Sequence, residues 1–122
     1  GAAGQRALVD ALVDAWERAD LDALLGLLTE DVRFTMPPLP AWFDGRPAVG
    51  MFFAERVFET PWRLVPVQSN AQLAVACYQR AETSFRLGAL NVLTVRDDRI
   101  AGLYSFLDPL VLADLTLPAE ER

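Results

Sequence analysis

The sequence predicts a single α+β domain, and three observations carry that prediction. Its 122 residues suit one domain with its own core, because a chain of this length can bury roughly two thirds of its unfolded surface. The first half contains helix-like amphipathic segments around one strand-like stretch. The second half contains consecutive strand-like stretches with no helix between them, so the sheet is expected to be antiparallel.

Two helices are predicted at the start of the chain, followed by a strand. Over residues 5–19 apolar side chains recur at helical spacing, with charged residues between them. Asp20 is placed to cap a second helix over residues 21–28, since its carboxylate can accept hydrogen bonds from backbone N–H groups. Residues 32–36 alternate apolar and polar side chains, which predicts a strand. Closely spaced prolines then end the strand and begin a loop that runs to Gly45.

A third helix and the remaining strands complete the predicted fold. Pro47 suits the first turn of a helix, where its missing N–H leaves no partner unsatisfied, and this helix is predicted to reach Phe58. Turns are expected at residues 70–71 and 97–98, and a helical turn or tail at residues 110–115. The third of the final strands is long enough to be bent or bulged. These strands are predicted over residues 62–68, 72–80, 84–96 and 99–107.

Composition and charge exclude several classes of function. The net charge is −6, and the eleven basic residues, all arginine, are scattered from Arg6 to Arg122, whereas DNA binding requires them to be clustered. With no histidine and one cysteine, Cys77, the chain can form neither a zinc site nor a Ser-His-Asp triad, and we expect no metal and no cofactor. The single cysteine fits a reducing compartment, and Cys77 is expected to be a small buried apolar residue.

No segment predicts a membrane span or a secretion signal. The longest apolar run, residues 48–54, is far shorter than the ~20 residues that cross a bilayer. The start of the chain lacks a charged segment followed by an apolar one. We therefore expect a cytoplasmic protein, and the exclusive use of arginine among the basic residues is typical of a high-GC bacterium.

Three stretches near the start of the chain resemble the opening of SnoaL-like domains. They are Ala15-Trp16, residues 20–24 (DLDAL) and residues 27–34 (LLTEDVRF). SnoaL-like domains belong to the superfamily of ketosteroid isomerase, scytalone dehydratase and nuclear transport factor 2, and the predicted order of elements matches it. The resemblance covers essentially the whole chain. It implies a cone-shaped, curved antiparallel or mixed sheet wrapped by three N-terminal helices.

Five further segments carry a narrower likeness within this superfamily: residues 36–46 (MPPLPAWFDGR), 62–66 (WRLVP), 76–79 (ACYQ), 90–96 (LNVLTVR) and 106–109 (FLDP). With them, the chain resembles the C-terminal SnoaL-like extension of certain extracytoplasmic-function sigma factors. This likeness implies a regulatory domain that contacts the sigma core domains or RNA polymerase and modulates transcription initiation, with a pocket suited to a small apolar ligand. It also suggests that residues 1–122 form one domain cut from the C-terminus of a longer protein, with residues 1–4 a cloning scar or linker.

The pocket that the resemblance implies lies between the sheet and the helices, and strand alternation indicates which polar side chains face it. Asn91 shares a face with the apolar Leu93, so its amide either holds a ligand carbonyl or satisfies a backbone group at a bulge. Tyr104 shares a face with Phe106 and Asp108 and either donates to a ligand oxygen or belongs to the core. Asp108 is alternatively a turn residue or a helix cap. The candidate pocket residues are Trp16, Phe34, Met36, Trp42, Phe43, Tyr78, Asn91, Tyr104, Phe106 and Asp108.

A second group of residues is a candidate interface with another domain. Trp42 and Phe43, in the predicted loop, form either the mouth of the pocket or an apolar patch that binds a partner. Arg46 and Arg63 either pair with carboxylates across that interface or are solvated surface residues. The domain is expected to be a monomer or a homodimer, and a largely apolar outer sheet face would favour association.

No catalytic residue is assigned. Isomerase chemistry of this superfamily needs a carboxylate inside the pocket, but the inward face of the first strand, with Phe34 and Met36, is apolar. The histidine that cyclases and dehydratases of the superfamily use is absent. One alternative hypothesis is a stand-alone isomerase or cyclase of a polyketide- or steroid-like molecule, with Tyr104 paired with Asp108 or Asn91. Another is a non-catalytic module for ligand binding or dimerisation.

Overall fold

The computed structural model describes residues 1–69, 72–109, 112 and 117–121. Within them, helices pack against a single sheet of seven strands. The helices are α1 (Ala2–Glu17), α2 (Leu21–Leu25) and α3 (Arg46–Glu55), with a short 3₁₀ turn at Val57–Glu59. The strands are β1 (Leu28–Thr35), β2 (Trp42–Asp44), β3 (Trp62–Ser69), β4 (Gln72–Ala81), β5 (Ser84–Arg96), β6 (Arg99–Phe106) and β7 (Glu120–Glu121). The predicted α+β class is confirmed.

The sheet is mixed. Its strands run in the order β2-β1-β6-β5-β4-β3, and β7 pairs with the beginning of β5. Strands β1 and β6 are parallel, whereas the other described pairs are antiparallel. The parallel pair departs from the antiparallel sheet that the run of final strands predicted. It arises because β1 is separated from the later strands by α3 and pairs with the last long strand of the meander.

The first two helices form near their predicted positions: α1 begins at Ala2 and ends at Glu17 instead of spanning 5–19, and the second helix is shorter than predicted. Asp20 caps α2 as expected, because its carboxylate accepts a hydrogen bond from the backbone N–H of Ala23 at 3.1 Å. The helix ends at Leu25 instead of residue 28, and Leu28 already pairs with Ile100 of β6. Pairing within the sheet therefore outweighs the helix-forming tendency of the leucine-rich segment.

A short strand lies within the predicted loop. Residues 42–44 form β2, which pairs antiparallel with the end of β1. The Arg33 and Asp44 side chains, opposite each other in this pair, form an ion pair with a nitrogen–oxygen distance of 2.6 Å. The third helix ends at Glu55, earlier than the predicted Phe58, and continues as the 3₁₀ turn. The turn predicted at residues 70–71 lies outside the described residues, as does the helical turn at 110–115 except for the buried Leu112.

Two bulges control which side chains point inward along β5 and β6. The register of β4 and β5 shifts at Gly88, and that of β5 and β6 shifts at Ala101, so the predicted bulging of the long strand is confirmed. Each extra residue reverses the alternation of side chains beyond it. Ile100 therefore pairs with the inward Val95, whereas Gly102 and Tyr104 lie on the opposite face.

The two faces of the sheet have different surroundings. The inner face carries Phe34, Cys77, Asn91 and Leu103 beneath α1 and α3 and contributes much of the core. The outer face has an apolar part, bordered by a polar row that contains Asp44, Arg33 and Thr94. Strand pairing aligns the residues of this face in rows that cross the sheet. Two neighbouring rows consist mostly of apolar residues. These rows are Trp42, Thr35, Tyr104, Val92, Ala74 and Val67, then Phe106, Leu90, Ala76 and Val65.

Candidate ligand-binding cavity

A cavity of about 240 Å³ lies between the helices and the inner face of the sheet. It is larger than the apolar cavity of about 150 Å³ that holds a benzene molecule, and smaller than the 300 Å³ or more typical of drug-sized ligands, both as orders of magnitude. Most of its wall is apolar or aromatic. Its lining comprises Trp16, Phe34, Met36, Phe52, Arg56, Val57, Trp62, Cys77, Gln79, Gly88, Ala89, Asn91, Ser105 and Leu107.

Aromatic rings fix the helical side of the cavity. Trp16 of α1 meets Phe53 of α3 edge to face, with ring centroids 4.9 Å apart and planes at 83°. The Trp62 ring meets Trp16 in the same manner at 6.1 Å, and its Nε1 donates to the carbonyl oxygen of Val57 at 2.6 Å. The Nε1 of Trp16 is buried and has no hydrogen-bond partner among the described residues. Edge-to-face ring contacts and one hydrogen bond therefore hold this wall together, and it contains one unpaired donor.

The sheet side of the cavity carries a small polar group of residues. Asn91 Nδ2 donates to the Sγ atom of Cys77 at 3.1 Å, and both residues are almost wholly buried. Burial raises the pKa of the Cys77 thiol to about 12, and the hydrogen bond from Asn91 opposes part of that shift. The thiol is therefore uncharged at neutral pH, and this side of the cavity carries no charge.

One acceptor in this polar group is unsatisfied. The Oδ1 atom of Asn91 is buried and has no hydrogen-bond partner among the described residues, although leaving such an oxygen unpaired costs about 1–3 kcal/mol. Ser105 of β6 lies directly opposite Asn91 of β5 on the same face. Side chains paired in this way have Cβ atoms about 5 Å apart, so the two polar side chains are neighbours on this wall.

Charge enters the cavity only near its mouth. Among the described residues, Arg56 is the one charged member of the lining, and it is exposed to solvent at the end of α3. Gln79 donates from Nε2 to the hydroxyl of Thr60 at 2.9 Å. None of the described lining residues is a carboxylate. The arrangement can therefore bind a largely apolar molecule, and it offers no described carboxylate base.

Four of the sequence-predicted residues meet in this cavity, namely Trp16, Phe34, Met36 and Asn91. Tyr104 does not, and the expectation that it faces the pocket is wrong. Because the bulge at Ala101 reverses the alternation, Tyr104 lies on the outer face with 37% of its surface exposed. Phe106 lies on that face too, and Ser105 between them points into the cavity.

The other predicted pocket residues also lie elsewhere. Tyr78 alternates with Cys77 and points away from the cavity, and its hydroxyl donates to the carbonyl oxygen of Pro118 at 2.6 Å. Asp108 follows β6, where its backbone carbonyl accepts a hydrogen bond from the N–H of Leu112, so the turn interpretation fits it better. The proposed pairs of Tyr104 with Asp108 or Asn91 are therefore not assembled in the cavity.

The candidate interface residues divide into two kinds. Trp42 is 58% exposed on the outer face, and Arg63 is exposed with its guanidinium 5.0 Å from the ring centre of Phe85. Phe43 instead stacks on Phe52, with ring centroids 4.3 Å apart, and so supports the cavity wall. Arg46 is half-buried and donates to the carbonyl oxygen of Leu28 at 2.8 Å, which ties α3 to β1.

Sequence reasoning missed several lining residues. Ser105 was missed because alternation was counted through the bulge at Ala101, and only the glycine after it hinted at irregularity. Cys77 was expected to be buried, and it is, but its contact with Asn91 depends on the pairing of β4 with β5. Arg56 reaches the cavity at the end of α3, where the predicted helix gives way to a 3₁₀ turn, and Trp62 reaches it as the first residue of β3.

Comparison with known proteins decides the family. The sequence pattern of the SnoaL-like domain matches residues 9–103, most of the chain. This chain belongs to the SnoaL-like domain family. The SnoaL-like fold also agrees with solved structures of low sequence identity. An NTF-2-like protein of unknown function from Burkholderia xenovorans LB400 superposes with a TM-score of 0.73 at 9% identity, covering 94% of this chain and 95% of its own.

Two further proteins are similar to this chain, one in structure and one in sequence. A proposed ketosteroid isomerase from Kribbella flavida DSM 17836 superposes with a TM-score of 0.72 at 20% identity, covering 94% of this chain and 82% of its own. The ECF RNA polymerase sigma factor SigG of Mycobacterium tuberculosis is 29% identical over 114 residues, which is 91% of this chain. The SnoaL-like chain spans about a third (31%) of the length of SigG.

Proposed function

We propose that this chain is the C-terminal regulatory domain of an extracytoplasmic-function sigma factor, acting in the cytoplasm on transcription initiation. The observation that carries the proposal is the 29% identity with SigG along 91% of the chain. The remaining two thirds or so of SigG has no counterpart in these residues. The proposed partners are therefore the sigma core domains, or RNA polymerase, to which such a domain would be tethered.

Charge and surface character support a protein partner over nucleic acid. The net charge of −6 opposes direct contact with DNA phosphates and favours a basic partner surface. The outer face of the sheet offers apolar side chains for contact, above all the exposed Trp42. Large aromatic residues in such positions are frequent anchors of protein interfaces. The proposal assigns the sigma core domains to this face.

An isomerase or cyclase is the alternative that the fold suggests. Enzymes of that kind abstract a proton with a carboxylate inside the pocket. The described lining offers Asn91, Ser105 and a neutral thiol instead, and no group of three or more metal-ligating side chains occurs among the described residues. The cavity therefore supports binding better than proton transfer.

No helix in the described parts of the chain is long and apolar enough to cross a membrane.

Run-off transcription tests the proposal. The full-length protein that carries these residues is compared with a version that ends before residue 1, using the same promoter and core polymerase. We expect transcript yield to change at least threefold on removal of the domain. Equal yields from the two proteins, at equal occupancy of the polymerase, would contradict a regulatory role.

A further inference from the structure

We infer that the outer face of the sheet carries a binding site for an acidic, extended segment of a protein partner, formed by Arg63 and Arg80 around the ring of Phe85. These three residues are called the arginine patch below. The inference deepens the proposed function, because the segment would belong to the sigma core domains. It rests on that function only for the identity of the partner, since the affinity for carboxylates follows from the patch itself.

Strand register brings the arginine patch together on the outer face. Arg80 of β4 lies directly opposite Phe85 of β5, and Arg63 lies one strand further out, on β3 opposite Tyr78. The guanidinium carbons of Arg63 and Arg80 lie 5.0 Å and 5.6 Å from the centre of the Phe85 ring. Contact with one ring restricts both long side chains before any partner binds, so less of their conformational entropy is lost on binding.

The charges of the arginine patch are not neutralised by the domain itself. Register places Glu121 of β7 beside Phe85, but neither Arg63 nor Arg80 forms an ion pair within the part of the chain that the structure describes. Arg80 donates from Nε to the carbonyl oxygen of Glu82 at 2.9 Å, which leaves its two terminal nitrogens for a carboxylate. Two like charges beside one ring repel each other, and a carboxylate bound between them relieves that repulsion. By contrast, three arginines elsewhere in the chain pair with aspartates, namely Arg18, Arg33 and Arg96.

The neighbouring edge of the sheet is closed to strand addition, so a partner segment must contact the face through its side chains. The edge strand here is β3. Its backbone N–H at Leu64 donates to Oε2 of Glu17 in α1 at 2.8 Å, and Pro66, two residues later on the same side, has no N–H to offer. Carboxylates two residues apart on an extended peptide lie on one side of it, about 7 Å apart, so two of them can meet the two guanidinium groups.

Protein carboxylates fit the arginine patch better than nucleic acid phosphates do. The net charge of −6 repels a phosphate backbone. Single strands also bind by stacking bases on open rings, whereas the ring of Phe85 is half-buried and contacted by both guanidinium groups. On a partner that is basic elsewhere, one acidic segment at the patch would fix the orientation in which the acidic domain docks.

Two matched peptides test the inference on the 122-residue chain. Hexaglutamate supplies carboxylates, and hexaglutamine keeps the backbone and similar side chains without their charge. NMR titration at pH 7 and about 0.15 M salt gives each dissociation constant, and the Nε–H signals of the arginine side chains report the location. We expect hexaglutamate to bind about tenfold more tightly than hexaglutamine and to shift the signals of Arg63 and Arg80 more than those of the other arginines.

Variants separate the arginine patch from general charge attraction. Arg63→Gln and Arg80→Gln are each expected to weaken hexaglutamate binding about threefold, because each removes one exposed ion pair. Arg99→Gln is the matched control, since Arg99 is equally exposed but pairs with Arg96 at the far end of β5, and it should keep the wild-type affinity. Thermal unfolding shows whether the variants fold, and the comparison of the two peptides on the wild-type chain decides the matter if a patch variant does not.

Every other outcome overturns the inference. Equal affinities for the two peptides, or no binding of hexaglutamate at millimolar concentration, would mean that the patch does not recognise carboxylates. An equal loss of affinity in Arg99→Gln would mean that any exposed arginine serves. Tighter binding of a single-stranded oligothymidine than of hexaglutamate, with shifts at Arg63 and Arg80, would assign the patch to nucleic acid. Because these measurements involve neither sigma core domains nor polymerase, a failed transcription test would contradict the proposed function without touching this inference.

Discussion

Burial of a single thiol makes the SnoaL-like domain sensitive to alkaline pH. The pKa of Cys77 is raised to about 12 from an ordinary value of 9.0, because the apolar surroundings disfavour the thiolate. Between these two values the unfolded chain loses the thiol proton while the folded chain retains it. The stability that this group contributes is therefore complete below about pH 9 and is lost progressively as the pH rises towards 12.

A cysteine variant isolates this contribution from other titrating groups. Between pH 8 and pH 10 we expect the wild-type free energy of unfolding to fall by about 1.4 kcal/mol more than that of Cys77→Ala. Urea unfolding of both proteins at the two pH values measures the difference. An equal fall in the two proteins would mean that the folded thiol titrates at its ordinary pKa.

Single residues also show how far the site could be predicted. Alternation along β5 correctly grouped Asn91 with Leu93, because β5 is regular after its bulge at Gly88. The same rule failed for Tyr104, since one unpaired residue at Ala101 exchanged the faces of everything after it. A bulge leaves only a weak signal in the sequence, whereas its effect on neighbouring side chains is complete.

At the scale of elements, the hairpin between β5 and β6 depends on an unfavourable backbone conformation. Asp97 and Asp98 have φ values of 54° and 63°. These values lie in the left-handed region, which a two-residue type I′ turn requires at both positions. Aspartate tolerates this region better than most residues, but glycine enters it without steric cost. The turn was predicted from these two aspartates, and its conformation suggests how to strengthen it.

We expect Asp98→Gly to raise the free energy of unfolding by about 0.5–1 kcal/mol, because Asp-Gly is a preferred pair for this turn. Urea unfolding at pH 7 provides the measurement. Asp98→Ala is the control: it removes the same carboxylate but keeps a Cβ atom, and it should lower stability. If the glycine variant were no more stable than wild type, the left-handed conformation would not limit the stability of the hairpin.

Other elements were predictable only in part, for a physical reason. The short strand β2 lies in a segment rich in proline and glycine, and it exists because β1 provides a partner for it. The parallel pairing of β1 with β6 likewise depends on residues far apart in the chain. Local propensity describes neither contact, whereas α1 and the final strands follow from patterns within each segment.

For the whole molecule, the family likeness predicted what local patterns could not. The curved mixed sheet with helices on one side follows from the SnoaL-like resemblance, and the family match and solved structures bear it out. Local patterns gave no means of telling that part of the outer face is apolar, because that requires the register of six strands. Trp42 and Tyr104 are large aromatic residues exposed on this face, and the proposed function assigns a protein partner to it.

Trp42 provides the test of that association. It is 58% exposed on the outer face, and Met51 of α3 is 62% exposed away from the sheet, so the two residues form a matched pair. If the sigma core domains dock on the outer face, Trp42→Ala should weaken their binding at least tenfold, since buried aromatic anchors carry a large share of interface energy. Met51→Ala should bind as the wild type does.

The measurement is titration calorimetry of each variant against the sigma core domains expressed separately, with thermal unfolding to confirm that both variants are folded. Truncating an exposed side chain changes stability by only about 0.5 kcal/mol, so lost binding would reflect a lost contact. Equal affinities of the two variants for the sigma core domains would show that the outer face is not the docking surface. Weaker binding by Met51→Ala alone would move the interface to α3, and the cavity mouth beside Arg56 would then adjoin the partner directly.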